Sequence, residues 1–425
     1  MTAKDPRSLR SKDVNVRGRT KTILVAAGLS LLLLLFVAVL VIRRDVPPND
    51  SDMLLTDPHI PADRNAFTHF SAIEWKGSDE DDWKLIAIVK DEEPLTEEYV
   101  QSLCEKNREA FEHVARGLEC PSIQVLPIPR SLQTEMPYLR EWRQIATLMK
   151  LRAEMLSKLD RDKEAIEQAF QIIRFGHKVR AGRGGLIVYL VGASITNLGT
   201  TALQESISHV RLPPAELKPY IALLDHYRPD AAALGDSFRS DYMSAACEID
   251  NRGARLFLRP GKTKRMLADL YRYNIALCEE AHATNLAAAR SKVVYEPPFQ
   301  KGTSYARLFA TGNFAGIELF YILSPSESIV SLSCKMASTI ASTKLLIALK
   351  CYHASTGSLP SSLDALVPEY IDSVPLDIFD GQPLRYSPEK KVIYSVGDNL
   401  MDDGGHKVLD VVIEIKFDEQ AAQGQ

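Results

Sequence analysis

Thr22 to Ile42 reads TILVAAGLSLLLLLFVAVLVI, an apolar run with no charge in it. A helix rises ~1.5 Å per residue, so about 20 such residues cross a hydrocarbon core ~30 Å thick. A single helix also satisfies its own backbone hydrogen bonds in lipid. Lys4, Arg7, Arg10, Lys12, Arg17, Arg19 and Lys21 precede the run, and only Arg43 and Arg44 follow it closely. The positive-inside rule therefore assigns residues 1–21 to the cytoplasm and the bulk of the chain to the periplasm or cell exterior. The basic arm can also touch anionic head groups. The competing reading is a cleaved signal peptide, with an apolar core of ~7–15 residues and a small-residue cleavage site. Here the run is longer and ends in Val39, Leu40, Val41, Ile42 and two arginines. A retained, single-pass anchor (22–42) in the inner membrane is favoured.

The remaining composition is ordinary for a globular chain. Of 425 residues, 45% are hydrophobic and 25% charged, with a net charge of −4. This length suffices for two modest domains beyond the anchor. The near-neutral balance argues against nucleic acid as a partner, which would require a concentrated basic face. The six cysteines show neither CxxC nor zinc spacing. Cys334 and Cys351 fall on one expected helix, ~25 Å apart along it and too far to bridge. Cys247 and Cys278 could meet if their helices form a hairpin, although buried thiols are the commoner outcome.

Residues 43–95 read as a Pro/Asp/Asn-rich linker followed by a short strand at Trp83–Val89, after the acidic stretch Asp79–Asp82. A helical pattern then begins at Thr96 and pauses at Gly117. Tyr138–Leu159 is strongly amphipathic, with Leu139, Trp142, Ile145, Leu148, Met149, Met155 and Leu156 largely on one side. Asp160–Asp162 turns into a second helix, Lys163–Lys178, giving one tetratricopeptide-like hairpin without a repeat array. Leu186–Leu198 is apolar on nearly every side. At that length it is too short to span a bilayer and reads as a buried central helix. Further helices are expected near Ala215, at Asp230–Leu258 and at Lys262–Lys292. Residues 96–292 thus form an all-helical domain. Residues 293–327 are a connector containing the apolar stretch Leu308–Leu323. Its Glu318 would be costly in lipid, so a buried or interfacial helix is preferred to a second crossing.

The last segment, 328–417, has a different character. A helix at Ser328–Ser355 ends at Gly357, a natural C′ residue. A short helix at Ser361–Val367 follows, then strands at Leu384–Ser387, Val392–Val396 and Val408–Phe417. Tyr352-His353-Ala354-Ser355-Thr356-Gly357, Leu359-Pro360, Leu363, Leu366, Pro375, Asp377, Phe379, Gly381, Pro383, Tyr386, Tyr394-Ser395-Val396-Gly397 and Asp402-Asp403-Gly404-Gly405 form a pattern. From about Ala341 to Gly405 it resembles the globular head of type II secretion major pseudopilins, the G subunit. The rest resembles anchored planctomycete-type envelope proteins in which such a tail follows a helical domain. The resemblance implies a small α+β head and a structural calcium ion. Asp398, Asn399, Asp402 and Asp403 are the matching oxygen donors, and Gly404 and Gly405 permit the tight turn. Ca²⁺ takes six to eight such oxygens, although a solvated acidic turn has the same composition. The chain departs from true pseudopilins at its anchor, which lacks their Gly-Phe-Thr-Leu-Ile-Glu-like cleavage sequence. Residues 418–425 form a tail.

No reaction is legible. The chain lacks GxSxG, HExxH and P-loop motifs. Glu279 and His282 have di-metal helix spacing, but a second ExxH is absent. Glu109 and His113 read as a surface pair. Asp236, Arg239, Asp241, Glu248, Asp250 and Arg252 read as a solvated helix face or a cleft lining. The expected fold is mainly α: one transmembrane helix, an extracytoplasmic helical domain and a small α+β pseudopilin-like module. The expected function is non-enzymatic binding or scaffolding, with an envelope protein as partner. A part in a type II secretion or pilus-like machine, and an envelope hydrolase using a helical-domain cleft, are the alternatives.

Overall fold

Helices dominate the architecture because apolar residues recur at helical spacing through most of the chain. The computed structural model describes residues 25–37, 45–125, 134–253, 257–298, 304, 307–308 and 311–417. The basic arm, both ends of the apolar run, the middle of the Pro121–Pro137 connection and the 418–425 tail lie outside these residues. Helix α1 is the apolar Val25–Val37, and its leucines, valines and Phe36 are exposed. There follow α2 (Ala66–Phe70), α3 (Asp79–Val89), α4 (Glu97–Lys106), α5 (Arg108–Glu119), α6 (Tyr138–Lys158), α7 (Asp162–Arg180) and α8 (Leu186–His209). Next come α9 (Pro214–Asp225), α10 (Ala231–Arg252), α11 (Pro260–Ala283), α12 (Leu286–Lys292), α13 (Phe314–Leu323) and α14 (Ser328–Thr356). Strands β1 (Arg385–Ser387), β2 (Val392–Ser395) and β3 (Val411–Glu414) form one antiparallel sheet in the order β1-β2-β3. Its register pairs Tyr386 with Ile393 and Ile393 with Ile413.

Helix α8 is the axis of the body. It packs on α6, α7, α10 and α14, and three glycines set its distance from α7. A Cβ on Gly176 would sit 2.4 Å from the Thr196 amide nitrogen, and one on Gly192 2.7 Å from that of Arg180. One on Gly199 would meet the Ile173 nitrogen at 2.7 Å. The two backbones therefore touch where no side chain fits. Gly185 enters α8 at φ +81 and has no capping side chain of its own. Asp241 on α10 caps the helix from outside, accepting the Leu186 amide. A carboxylate at a helix N-terminus also complements the macrodipole.

Among the described residues, two large hydrophobic clusters result, with a smaller third between α3, α4 and α6. One joins α2 and α5–α9 to the second half of α14 and to Ile393 and Ile413 of the sheet. The other joins Met53, the start of α8, α10–α13 and the first half of α14 to Phe379 and Val396. The helical part and the strand-bearing part share both clusters through α14. Among the described residues, two stretches besides α1 are apolar, and these two are long enough to cross a membrane: Leu186–His209 and Phe314–Thr356. Their most apolar windows are 61% and 78% buried, as in the core helices of a globular body.

Several expectations are corrected. Trp83–Val89 is helix, not strand: Ser78 and Asp81 form a capping box that starts α3 four residues before Trp83. The helix from Thr96 breaks at Asn107, whose amide donates to Leu103 O and accepts from the Lys76 amide. The central apolar helix runs on past Leu198 to His209. Thr196, Ser206 and Ser208 can be buried there because each hydroxyl donates to a carbonyl one turn back, at 2.9 Å. The Lys262–Lys292 helix divides at Asn285, where the carbonyls of Ile378 and Phe379 take the first amides of α12. Asp230–Leu258 ends at Arg252, before Gly253 at φ +66. Ser361–Val367 is a short 3-10 turn, Leu363–Leu366. Cys247 and Cys278 lie on adjacent helices and are free thiols, the outcome expected of them. Residues 45–55, read as a linker, are fastened along α10 and α11.

The glycine contact yields a paired test. Gly192→Ala must push α7 and α8 apart and should cost about 1–3 kcal/mol in urea unfolding. Gly235→Ala on α10 would meet only the Arg239 side chain at 3.4 Å and Ile275 at 3.7 Å. It should be neutral or stabilise by up to about 1 kcal/mol. Equal losses at both positions would refute the close-contact account.

Candidate functional site

The α3 helix forms one wall of a groove. Leu85 and Ile88 are buried and pack with Leu148 and Leu151 of α6. Helical spacing then turns Trp83 and Ile86 the other way, and Trp83 is 74% exposed. The opposite walls are the start of α6 (Leu139, Arg140, Arg143, Gln144, Thr147) and the first turns of α8 (Ile187, Val191). They enclose a cavity of about 710 Å³, within the usual size of a binding cleft. Asp79 and Asp82 form one rim. Asp82 accepts from the Trp75 indole at 2.7 Å and pairs with Arg140. Gln144 Oε1 is buried in the wall without a hydrogen-bond partner. Leaving such an acceptor unmet costs about 1–3 kcal/mol. The groove therefore offers an apolar floor and a mixed-charge rim.

The charged residues singled out on α10 and α11 do not assemble into a catalytic set. Asp236 bonds Arg183 at 2.8 Å and Arg239 at 3.1 Å, Glu248 pairs with Arg252, and Asp250 pairs with Lys264. Asp241 is the exception, since it is half-buried beneath α8 and accepts the Tyr271 hydroxyl at 2.6 Å. Burial holds its carboxyl above the usual range. Glu279 faces solvent while His282 turns inward, with Nε2 3.0 Å from Ser333 Oγ. Tyr189 donates to the same oxygen at 3.3 Å. Ser333 is fully buried in the middle of α14, so this Ser–His contact joins three helices and presents no open nucleophile. Glu109 pairs with Lys76, not His113. Arg180 is buried at the end of α7, with Nη2 on Tyr227 O at 3.2 Å and on His177 Nδ1 at 3.3 Å. The carbonyl end of α7 complements its charge.

The acidic loop is divided between two tasks. Asp398 is drawn out of it, accepting from Arg290 at 2.9 Å and Ser331 at 2.7 Å. Arg290 also reaches Glu327 at 2.9 Å, so it clasps α12, α14 and the loop together. Asn399 donates to Asp403 at 2.7 Å, and Asp402 accepts the Gly404 amide at 2.9 Å. The four expected donors therefore do not converge in this arrangement. Among the described residues, no three His, Cys, Asp or Glu side chains are grouped to hold a metal. Sequence reasoning missed Asp410. Its Oδ2 accepts the amides of Gly405 and His406 at 2.8 Å, while its buried Oδ1 has no partner. Asp377, by contrast, was legible in the motif. Its carboxylate takes the amides of Phe379 and Val396, the Ser395 hydroxyl and Arg385, all within 3.0 Å.

No family model, curated protein or solved structure matches the chain.

Two half-buried histidines predict an acid response. Burial lowers both His177 and His282 to about 4, with Arg180 beside the first and Arg228 beside the second opposing protonation further and Asp230 favouring it. Unfolded histidine titrates near 6.5. Between these values the unfolded chain binds protons that the folded one does not. Stability should therefore fall as pH drops from about 6.5 to 4, by up to about 1.4 kcal/mol per pH unit for each histidine. Urea midpoints for His282→Gln should show a shallower fall than wild type across that window. An unchanged slope would contradict the assignment.

Proposed function

We propose that this chain is a membrane-anchored cell-envelope protein of non-enzymatic binding type, with the α3–α6–α8 groove as its partner site. The anchor reading is supported by the uncharged run Thr22–Ile42, by its basic N-terminal flank, and by the apolar residues that α1 exposes. A helix of that kind needs lipid or protein around it. The N-terminus then lies in the cytoplasm and the body in the periplasm or cell exterior. The observation that carries the binding reading is Trp83, exposed over an apolar groove. The occupant that suits it is a segment of an envelope protein with an apolar anchor side chain. A basic flank would face Asp79, whose carboxylate stands fully exposed on the rim. Neither the hydrolase reading nor the pilus-machine reading has a comparable feature behind it.

A photo-crosslinking residue at Ile86 of the full chain, in native membranes, tests this site. One discrete protein adduct is expected, absent when the probe sits at exposed Glu167 on α7. Adding Trp83→Ala should reduce it about tenfold or more, as loss of an aromatic anchor does. An adduct indifferent to Trp83, or none, rejects the groove.

Calcium enters as a second proposal, carried by Asp410 Oδ1. These donors do not converge in the fold as described, so an ion that satisfies this oxygen requires the loop to rearrange and bring Asp402, Asp403 and Asn399 to Asp410, with Asp398 left on Arg290. Chelator should then lower the unfolding midpoint of the wild type, and Asp410→Asn should abolish the difference. A wild type insensitive to chelator excludes the ion.

A further inference from the structure

The chain between the apolar run and the body has almost no slack. Asp45 accepts the amides of Gly261 at 2.7 Å and Lys262 at 2.9 Å, at the first turn of α11. Arg265 donates to Val46 O, and a Cβ on Gly261 would strike that carbonyl at 2.2 Å. Farther on, Arg272 holds Asn49 O at 2.6 Å and Asp52 at 2.7 Å. Tyr242 donates to Asp50 at 2.5 Å, and Met53 is buried. Only Arg43 and Arg44 separate Ile42 from Asp45. Three extended steps reach about 10 Å. If Thr22–Ile42 spans the bilayer, the first turn of α11 is held at the head groups.

Helix α13 starts at the same place. Asn313 accepts the Arg259 amide at 2.7 Å, and Gly316 packs against Thr263. The inner side of α13 buries Gly316, Ile317, Leu319 and Phe320. Helical spacing puts Phe314, Ala315, Glu318, Tyr321 and Ile322 on the other side. Ile322 is 76% exposed and Tyr321 57%. Ten residues of helix extend about 15 Å, so this whole side stays close to the anchor. Arg259, Lys262 and Arg265 add positive charge at the same end.

We infer that the outer side of α13 rests in the head-group region of an anionic bilayer, with the basic start of α11 beside it, so that the body is mounted on the membrane instead of swinging from a tether. This rests on the anchor reading above. Tyrosine is suited to the interface, and Glu318 remains hydrated at interfacial depth, where it would be costly at the bilayer centre. The bilayer is preferred to a protein because the anchor brings lipid within reach of this surface.

The test uses the full-length protein in nanodiscs, with a photo-crosslinking residue at position 322 and, as control, at exposed Glu164 on α7. In discs containing phosphatidylglycerol, lipid adducts should form at 322 roughly fivefold or more above the control. They should fall about fivefold when phosphatidylcholine replaces the anionic lipid, the factor expected for one basic residue. Protein that enters the discs but yields only control-level lipid adducts, or adducts to a second copy of the chain, overturns the inference and leaves the anchor standing. Protein that does not co-elute with the discs removes the anchor reading and this inference with it.

Discussion

The body depends on the backbone contact between α7 and α8. Gly176, Gly192 and Gly199 let two helices meet at distances no Cβ permits, and this seats an apolar helix at the centre of the molecule. Everything else is arranged around that helix. The α10 helix supplies Asp241 to its N-terminus, α6 lies along it, and α14 crosses from one hydrophobic cluster to the other beside it. The three-stranded sheet has one fully buried strand, β2, and packs on α14. The strand-bearing part therefore shares its hydrophobic clusters with the helices. Arg290 and the first amides of α12, which donate to the carbonyls of Ile378 and Phe379, fasten the seam.

Much of this was legible where periodicity and punctuation agreed. The hairpin of α6 and α7, the Gly357 end of α14 and the three strands all follow from spacing and turn residues. The misreadings have physical causes. WKLIAIV has strand composition, but the Ser78–Asp81 capping box fixes a helix before it begins. After Leu198 the sequence turns polar, which reads as an end, yet serine and threonine can stay buried by bonding back to their own helix. Residues 45–55 have linker composition because of their aspartates and prolines. In the structure Asp45, Asp50 and Asp52 are each bound to α10 or α11. Composition reports what a segment can do in water, and does not show which partners the fold supplies.

The candidate groove was not legible at all. Its walls come from three helices far apart in sequence, and its main residue, Trp83, lies in a stretch of strand composition. The acidic loop was partly legible. Its residues are acidic and turn-forming as expected, but Asp398 serves the Arg290 clasp, and the unmet oxygen belongs to Asp410 outside the motif. A local pattern marks a loop, while the long-range pairing of each carboxylate depends on tertiary structure.

The groove is the feature on which the functional account stands. Amide hydrogen exchange on the full chain, in its native membranes and after purification in detergent, measures its occupancy directly. The account predicts that residues 79–89, 139–147 and 187–191 exchange more slowly together in the membranes, while the α7–α8 contact is unchanged. Equal rates in the two settings at those three segments, or protection confined to other surfaces, would contradict it.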